Sequence, residues 1–334
     1  MSEMRQDLTT GEWVIIAKDR GSRPHDFTRA HPRPAMPVYS PSCPFCAGNE
    51  AMTPPEVLRY RDAETSNWQV RVFPNEFPAL APGGSTTSRR EEGIYLRMDG
   101  VGIHEVIVET PLHNQPLALM DDKDVERVLT AYRERFNTLR EEASVRSITI
   151  FKNHGPSAGT SLMHSHSQLL AAPVVPERWR RMRTTALDYY DRTGRSLYTD
   201  IREHEQNEGA RIVLKNEKYV VLQPFASRRA FETWIMPITP HASFGDIPAE
   251  DLPYLAHALK VTLCTLHRGL NDPDYNYIIE TAPPGEEDDR FFLWHMRIVP
   301  RLNTMAGFEI GTGICINPAL PEETARFLKG TGHR

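Results

Sequence analysis

Within a stretch that otherwise reads as an apolar strand, His164-Ser165-His166-Ser167-Gln168 sets two imidazoles and an amide at alternate positions. Side chains two apart on a strand share a face, so the three polar groups would stand together. With Leu169-Leu170-Ala171-Ala172 directly after them, such a face packs poorly unless the groups hold a metal, a phosphate or one another. The solvent face of an amphipathic strand shows the same alternation, so the rest of the chain has to separate the two readings.

Four cysteines in 334 residues do not make a disulfide scaffold. Two of them form Cys43-Pro44-Phe45-Cys46, a pair that offers two thiolates to a tetrahedral zinc and leaves two positions for nitrogen or sulfur. No second pair exists, so histidines must complete the set. His113, just beyond a strand expected over residues 104–110, and His164, at the head of the pentad, are the choices made here from 13 histidines. Cys43, Cys46, His113 and His164 would close the coordination sphere and leave no place for substrate, which makes the zinc structural. It would pin the Pro-, Arg- and Ser-rich segment 19–56 against the strand that carries His166. Cys264, in a helical apolar pattern, and Cys315, between two isoleucines, read as small buried hydrophobes.

A neutral imidazole attacks phosphorus at neutral pH and leaves well once protonated, provided it is held in one tautomer. A carbonyl accepting from one ring nitrogen frees the other, and Gln168 on the same face can offer its amide to a phosphoryl oxygen. The Gly-, Ser- and Thr-containing loop 153–161 suits a phosphate cradle through its amides and hydroxyls. Neither a Gly-x-Gly-x-x-Gly run nor a P-loop occurs, so nucleotide binding must use other parts.

What must position these groups is a long chain for one domain, and a duplication is the natural expectation. His104 to Leu139 aligns with Phe231 to Leu266, and the following strand–loop–strand segments place His166 opposite His295. The second copy reads Leu293-Trp294-His295-Met296-Arg297 where the first has the pentad. Two units, 1–172 with the zinc site and 173–334 as a degenerate copy, are therefore expected. Each is an α+β arrangement, a mostly antiparallel sheet with helices packed on one face. A hydrophobic content of 40% and charge of 25% suit a globular protein. The net charge of −5 gives no general field for nucleic acid. No membrane span or signal peptide is expected, and a cytoplasmic location is the default.

Taken together, Gly11-Glu12-Trp13-Val14-Ile15, Arg20-x-x-Arg23-Pro24, Cys43-Pro44-Phe45-Cys46, Asn75-x-Phe77-x-Ala79, Phe151-x-Asn153-x-Gly155 and His164-x-His166-x-Gln168 carry a family signature. Over nearly its whole length the chain resembles the galactose-1-phosphate uridylyltransferase branch of the histidine triad superfamily. The resemblance implies two tandem histidine triad units, a homodimer, and ping-pong transfer of a nucleoside monophosphate through a nucleotidyl-histidine. Nucleotide-sugar and sugar 1-phosphate, or phosphate, would be the substrates. It makes His166 the nucleophile and His164 a zinc ligand whose main chain helps orient it. Gln168 would touch the transferred phosphoryl group, Ser161 and Asn153 the nucleotide phosphates, and Asn75 the region of the nucleoside. Arg20 and Arg23 would reach phosphates across the dimer interface.

Two departures bear on the substrate. The His-x-His pair that holds a second metal in the well-known bacterial members becomes Leu293 and His295, so that site is not expected. Asn317 stands where a glutamine near the hexose would be, and the segment 307–318 is closer to the branch that includes plant ADP-glucose phosphorylase. The leading expectation is a UDP-glucose:hexose-1-phosphate uridylyltransferase of galactose metabolism. The alternative is an ADP-glucose phosphorylase using the same histidine to pass an adenylyl group to phosphate. A non-catalytic, zinc-stabilised nucleotide-binding protein is the third reading, and the retained His166 and Gln168 count against it.

Overall fold

The computed structural model describes residues 1–18, 24–29, 33–62, 64–87, 89–91 and 93–332; Arg20 and Arg23 lie outside the described residues. In chain order the first strands are β1 (Glu3–Gln6), β2 (Trp13–Ile16), β3 (Leu58–Arg61), β4 (Trp68–Pro74), β5 (Arg89–Glu91), β6 (Tyr95–Arg97) and β7 (Ile103–Val108). Helix α1 (Asp122–Leu139) leads to β8 (Ser147–His154) and β9 (His166–Ala172), after which come α2 (Glu177–Thr193) and α3 (Leu197–Glu208). The second half continues with β10 (Ile212–Lys215), β11 (Tyr219–Leu222), β12 (Thr233–Pro237), α4 (Leu252–Leu270), β13 (Tyr275–Glu280) and β14 (His295–Pro300). The chain closes with α5 (Gly307–Thr312), β15 (Cys315–Asn317) and α6 (Pro321–Gly332).

Ten strands form one sheet in the order β10-β11-β12-β14-β13-β8-β9-β7-β4-β3, and every neighbouring pair is antiparallel. The halves join where β8 pairs with β13, Phe151 opposite Ile278 and His154 opposite Tyr275. Outward from that join the arms run β8-β9-β7-β4-β3 and β13-β14-β12-β11-β10. The strands that begin with His166 and His295 thus hold the same place in their arms. A separate small sheet, β1-β2-β15, contains the parallel pair β2–β15.

The mixed α+β architecture is the expected one, and its helices follow from ordinary patterning. In α1, Val125, Val128, Leu129, Tyr132, Phe136 and Leu139 are buried at helical spacing, while Asp122 and Asp124 in the first turn complement the helix dipole. Helix α4 ends on Asn271, whose φ of 57° supplies the left-handed cap. Leu169 and Ala171 of β9, Ile107 of β7, α1, α4 and Leu328 of α6 share one core on one side of the sheet.

Helices α2 and α3 depart from the one-sided layer expected from sequence. They lie on the opposite face of the second arm, where Trp179, Met182 and Tyr198 pack on Val220, Leu222, Trp234 and Met236. The physical reason is that β11 and β12 are buried at every position, so both faces of that arm are apolar and both require a cover. The corresponding face of the first arm is covered instead by the Cys43–Cys46 loop, through Phe45, Trp68, Phe73, Val106 and Val108. No helix among the described residues is long and apolar enough to cross a membrane.

Candidate active site

The strand alternation of β9 divides its side chains as the sequence predicts. Leu169 and Ala171 join the helix-side core, and His166 and Gln168 project to the other face. His166 is 6% exposed. Its Nδ1 lies 2.8 Å from the carbonyl oxygen of His164. A carbonyl only accepts, so Nδ1 carries the proton and Nε2 keeps its lone pair. Nε2 has no hydrogen-bond partner among the described residues. Burial pushes the ring below the ordinary histidine value, with the bond to the His164 carbonyl opposing it. The imidazole is therefore neutral near pH 7, the form in which nitrogen is nucleophilic.

Cys43, Cys46, His113 and His164 converge, with one ligand atom from each lying within 4.8 Å of all the others. The Cys43 Sγ to His164 Nδ1 distance is 3.7 Å, Cys46 Sγ to His164 Nδ1 is 3.6 Å, and Cys46 Sγ to His113 Nδ1 is 3.5 Å. His164 Nε2 donates to the Thr110 carbonyl at 2.7 Å, which aims the Nδ1 lone pair at the thiols. Burial pushes the Cys43 thiol up and drives His164 down to about 4. Both shifts favour neutral forms in a site without an ion, and a divalent cation would reverse the first by holding the thiolates. Two sulfurs and two correctly oriented nitrogens are a donor set that fits a metal.

The loop that supplies the two thiols is built locally. Asn49 Nδ2 donates to the Cys43 carbonyl at 2.8 Å, and the Cys46 amide donates to the Cys43 carbonyl at 3.2 Å. Phe45, between the two cysteines, packs against Phe73, with ring centroids 5.7 Å apart, and against His166 at 5.2 Å. The cysteine loop and the His166 imidazole thus touch through one aromatic ring. Sequence reasoning did not assign Phe45 a role, although its place inside the cysteine pair is a signal.

Behind His166 lies a buried polar network that sequence reasoning missed. Glu109 accepts from Ser165 Oγ at 2.7 Å and Ser167 Oγ at 2.8 Å. Lys152 Nζ pairs with Glu109 and donates to the His166 carbonyl at 2.9 Å. Both charged side chains are essentially without solvent contact. Burial raises the Glu109 pKa and is outweighed by Lys152 and the two serines, which hold the carboxyl below its ordinary value.

The remaining expected residues are placed less uniformly. Asn75 stands beside His104, its amide nitrogen 3.3 Å from the ring Nε2. Gln168 Oε1 is 2.8 Å from that same Nε2. Asn153 accepts from Asn276 Nδ2 at 2.8 Å and borders a cleft of about 410 Å³ that Arg178, Arg228, Arg229, Arg297 and Arg301 also line. Ser161 is exposed.

The loop 153–161 is less of a backbone cradle than its composition suggests. The Ser157 amide donates to Asp274 at 2.6 Å, while the amides of Ala158, Gly159 and Thr160 serve carbonyls within the loop. Gly155 explains the tight approach to Asp274: its φ is 87°, and an added Cβ would sit 2.3 Å from an Asp274 oxygen. Asp274 also pairs with Arg29 and Arg33, so this carboxylate anchors the arginine-rich segment.

The family model described as galactose-1-phosphate uridyl transferase, N-terminal domain, matches residues 1–176. The chain belongs to the galactose-1-phosphate uridylyltransferase family. It is accordingly a nucleotidyltransferase enzyme. Similarity runs over the full length: the chain is 37% identical to an ADP-glucose phosphorylase of Arabidopsis thaliana, covering 98% of this chain and 92% of that protein. It is 29% identical to a galactose-1-phosphate uridylyltransferase of Thermotoga maritima, with 99% of each covered. The crystal structure of an ADP-glucose phosphorylase from Arabidopsis thaliana with bound ADP-glucose superposes with a TM-score of 0.84 at 33% identity, covering 98% of both chains. The α+β fold is that of this family.

Proposed function

We propose that the chain transfers a nucleotidyl group from a nucleotide sugar through Nε2 of His166. The observation that carries this reading is a single-tautomer imidazole backed by the Glu109–Lys152 network: Nδ1 is committed to the His164 carbonyl, and Nε2 has no hydrogen-bond partner among the described residues. Nε2 attacks the α-phosphorus, a P–N bond forms, and the bond to the bridging oxygen breaks so that the sugar 1-phosphate leaves with its electron pair. An acceptor phosphate oxygen then attacks the same phosphorus, the P–N bond breaks, and the imidazole is regenerated. Gln168 offers its amide to a phosphoryl oxygen. Asn153 and Ser161 serve the phosphates and Asn75 the nucleoside side of a chain that works as a homodimer. Residues 1–172 and 173–334 act as an intact and a degenerate unit of one duplicated fold.

The metal is read as structural zinc. For tetrahedral zinc with ordinary bond lengths the sulfur-to-nitrogen separation is roughly 3.6 Å, and three of the four such distances here are 3.5, 3.6 and 3.7 Å, the fourth lying within 4.8 Å. Its four protein ligands leave no open position, so it fixes the loop and the main chain at His164 rather than joining the reaction.

For the donor, the higher full-length identity to an ADP-glucose phosphorylase favours ADP-glucose, with inorganic phosphate as acceptor. The uridylyl reaction with a hexose 1-phosphate, placed first by the sequence alone, is the second reading and is favoured by the family match and the Thermotoga relative. Isotope exchange separates them. With no acceptor present, labelled glucose 1-phosphate should exchange into ADP-glucose much faster than into UDP-glucose; the opposite order supports the uridylyl reaction, and exchange into neither contradicts both.

A further inference from the structure

His104 and Gln168 are diagonal neighbours on one face of the β7–β9 pair, since Val106 stands opposite Gln168 and His104 opposite Leu170. The His104 ring is almost wholly buried. Its Nδ1 accepts from the backbone amide of Ala79 at 3.1 Å. An amide only donates, so the proton of this neutral ring sits on Nε2. Nε2 lies 2.8 Å from Gln168 Oε1. The nearby Asn75 amide nitrogen cannot take that proton, and the Asn75 carbonyl is already engaged by the Phe77 amide at 2.9 Å.

A glutamine on a strand is free to present either end of its amide, and only one end is of use beside a phosphoryl oxygen. With the carbonyl held by His104 Nε2–H, the amino group has to face away from His104. Gln168 Nε2 has no partner among the described residues. We infer that His104 is a positioning residue that, in the tautomer set by the Ala79 amide, turns Gln168 so that its amino group donates to the transferred phosphoryl group. The chain of control runs from the Ala79 amide through the imidazole and the Gln168 carbonyl to the amino group. Sequence order hides it, since the three residues lie on different segments.

This rests on the reading that Gln168 contacts the phosphoryl group, so Gln168→Ala is the control. Formation of the nucleotidyl-enzyme is followed in a rapid-quench single turnover with ADP-glucose and with UDP-glucose, on protein whose circular dichroism and zinc content match the parent. Gln168→Ala should slow that step by about 10²-fold, the range for losing one donor to a developing anion. His104→Phe should slow it by roughly tenfold or more with donor affinity nearly unchanged, the sign of an interaction realised in the transition state. The double variant should be no slower than Gln168→Ala alone, because both remove the same contact.

A second pair of variants tests orientation directly. His104→Gln can donate to the Gln168 carbonyl and should recover most of the rate, whereas His104→Glu can only accept and should turn the amide around and stay slow. If Gln168→Ala is as fast as the parent, the reading of Gln168 itself fails. If Gln168→Ala is slow but His104→Phe is not, or their losses multiply, or His104→Gln and His104→Glu react alike, the role of His104 is overturned.

Discussion

His166 and His295 open equivalent strands, and each has Nδ1 directed at the carbonyl two residues earlier, at 2.8 Å and 3.2 Å. Behind those strands the likeness ends. Ser165 and Ser167 point into the network of Glu109, Lys152 and Tyr132, whereas Trp294 and Met296 enter the apolar core, with Trp294 edge-on to Phe244 at 5.3 Å. In front, His166 meets Phe45 and the metal quartet, while His295 is closed in by Trp234 at 4.7 Å and Tyr198 at 5.5 Å. The tautomer device alone therefore does not make a reactive site. Directional bonds behind a strand fix its position in a way that interchangeable apolar contacts do not, and of these two strands the one that carries His166 has them among the described residues.

The largest effect should come from the metal. His164→Asn should lose most of the stoichiometric zinc seen by atomic absorption, and with it the order of the Cys43–Cys46 loop, while the His241→Asn variant, changed at a histidine outside the quartet, keeps its zinc. Equal zinc in both variants would remove the quartet from the account. Next comes the buried pair: Lys152→Met leaves the Glu109 charge unanswered and should cost about 3–5 kcal/mol in urea unfolding. Removing both charges in Glu109→Leu/Lys152→Met should restore much of that stability. A loss under about 1 kcal/mol for the single variant would mean that the network is hydrated and not comparable to a core.

In the second arm the same kind of change should do little. His295→Phe keeps an aromatic ring between Trp234 and Tyr198 and should shift stability by less than about 1.5 kcal/mol, with the isotope exchange rate unaltered. A large fall in exchange would show that the second arm takes part in the reaction and that the contrast between the two strands is wrong.

Much of the site was legible because it is local. Cysteines three apart and alternate polar residues on one strand are patterns of neighbouring residues, and His113 and His164, chosen to complete the thiol pair, do lie within 4.8 Å of both sulfurs. The buried network was not legible. Glu109 ends an apolar strand and Lys152 nears the end of another, where a lone sequence favours solvent exposure. Their burial depends on β7, β8 and β9 lying side by side. Register hid the His104–Gln168 contact in the same way. The loop 153–161 misled for a related reason, since the carboxylate that takes its Ser157 amide comes from Asp274, 117 residues away. The second-face position of α2 and α3 was missed because short, wholly buried strands carry no alternation to show which face needs a cover.

Intact-protein mass spectrometry after incubation with nucleotide sugar and no acceptor tests the central claim most directly. Each chain should gain one adenylyl or one uridylyl group, lost on mild acid treatment, mapped to the peptide containing His166, and absent in His166→Gly protein that retains its zinc and fold. A gain that persists in His166→Gly, or no gain from either ADP-glucose or UDP-glucose, would contradict it.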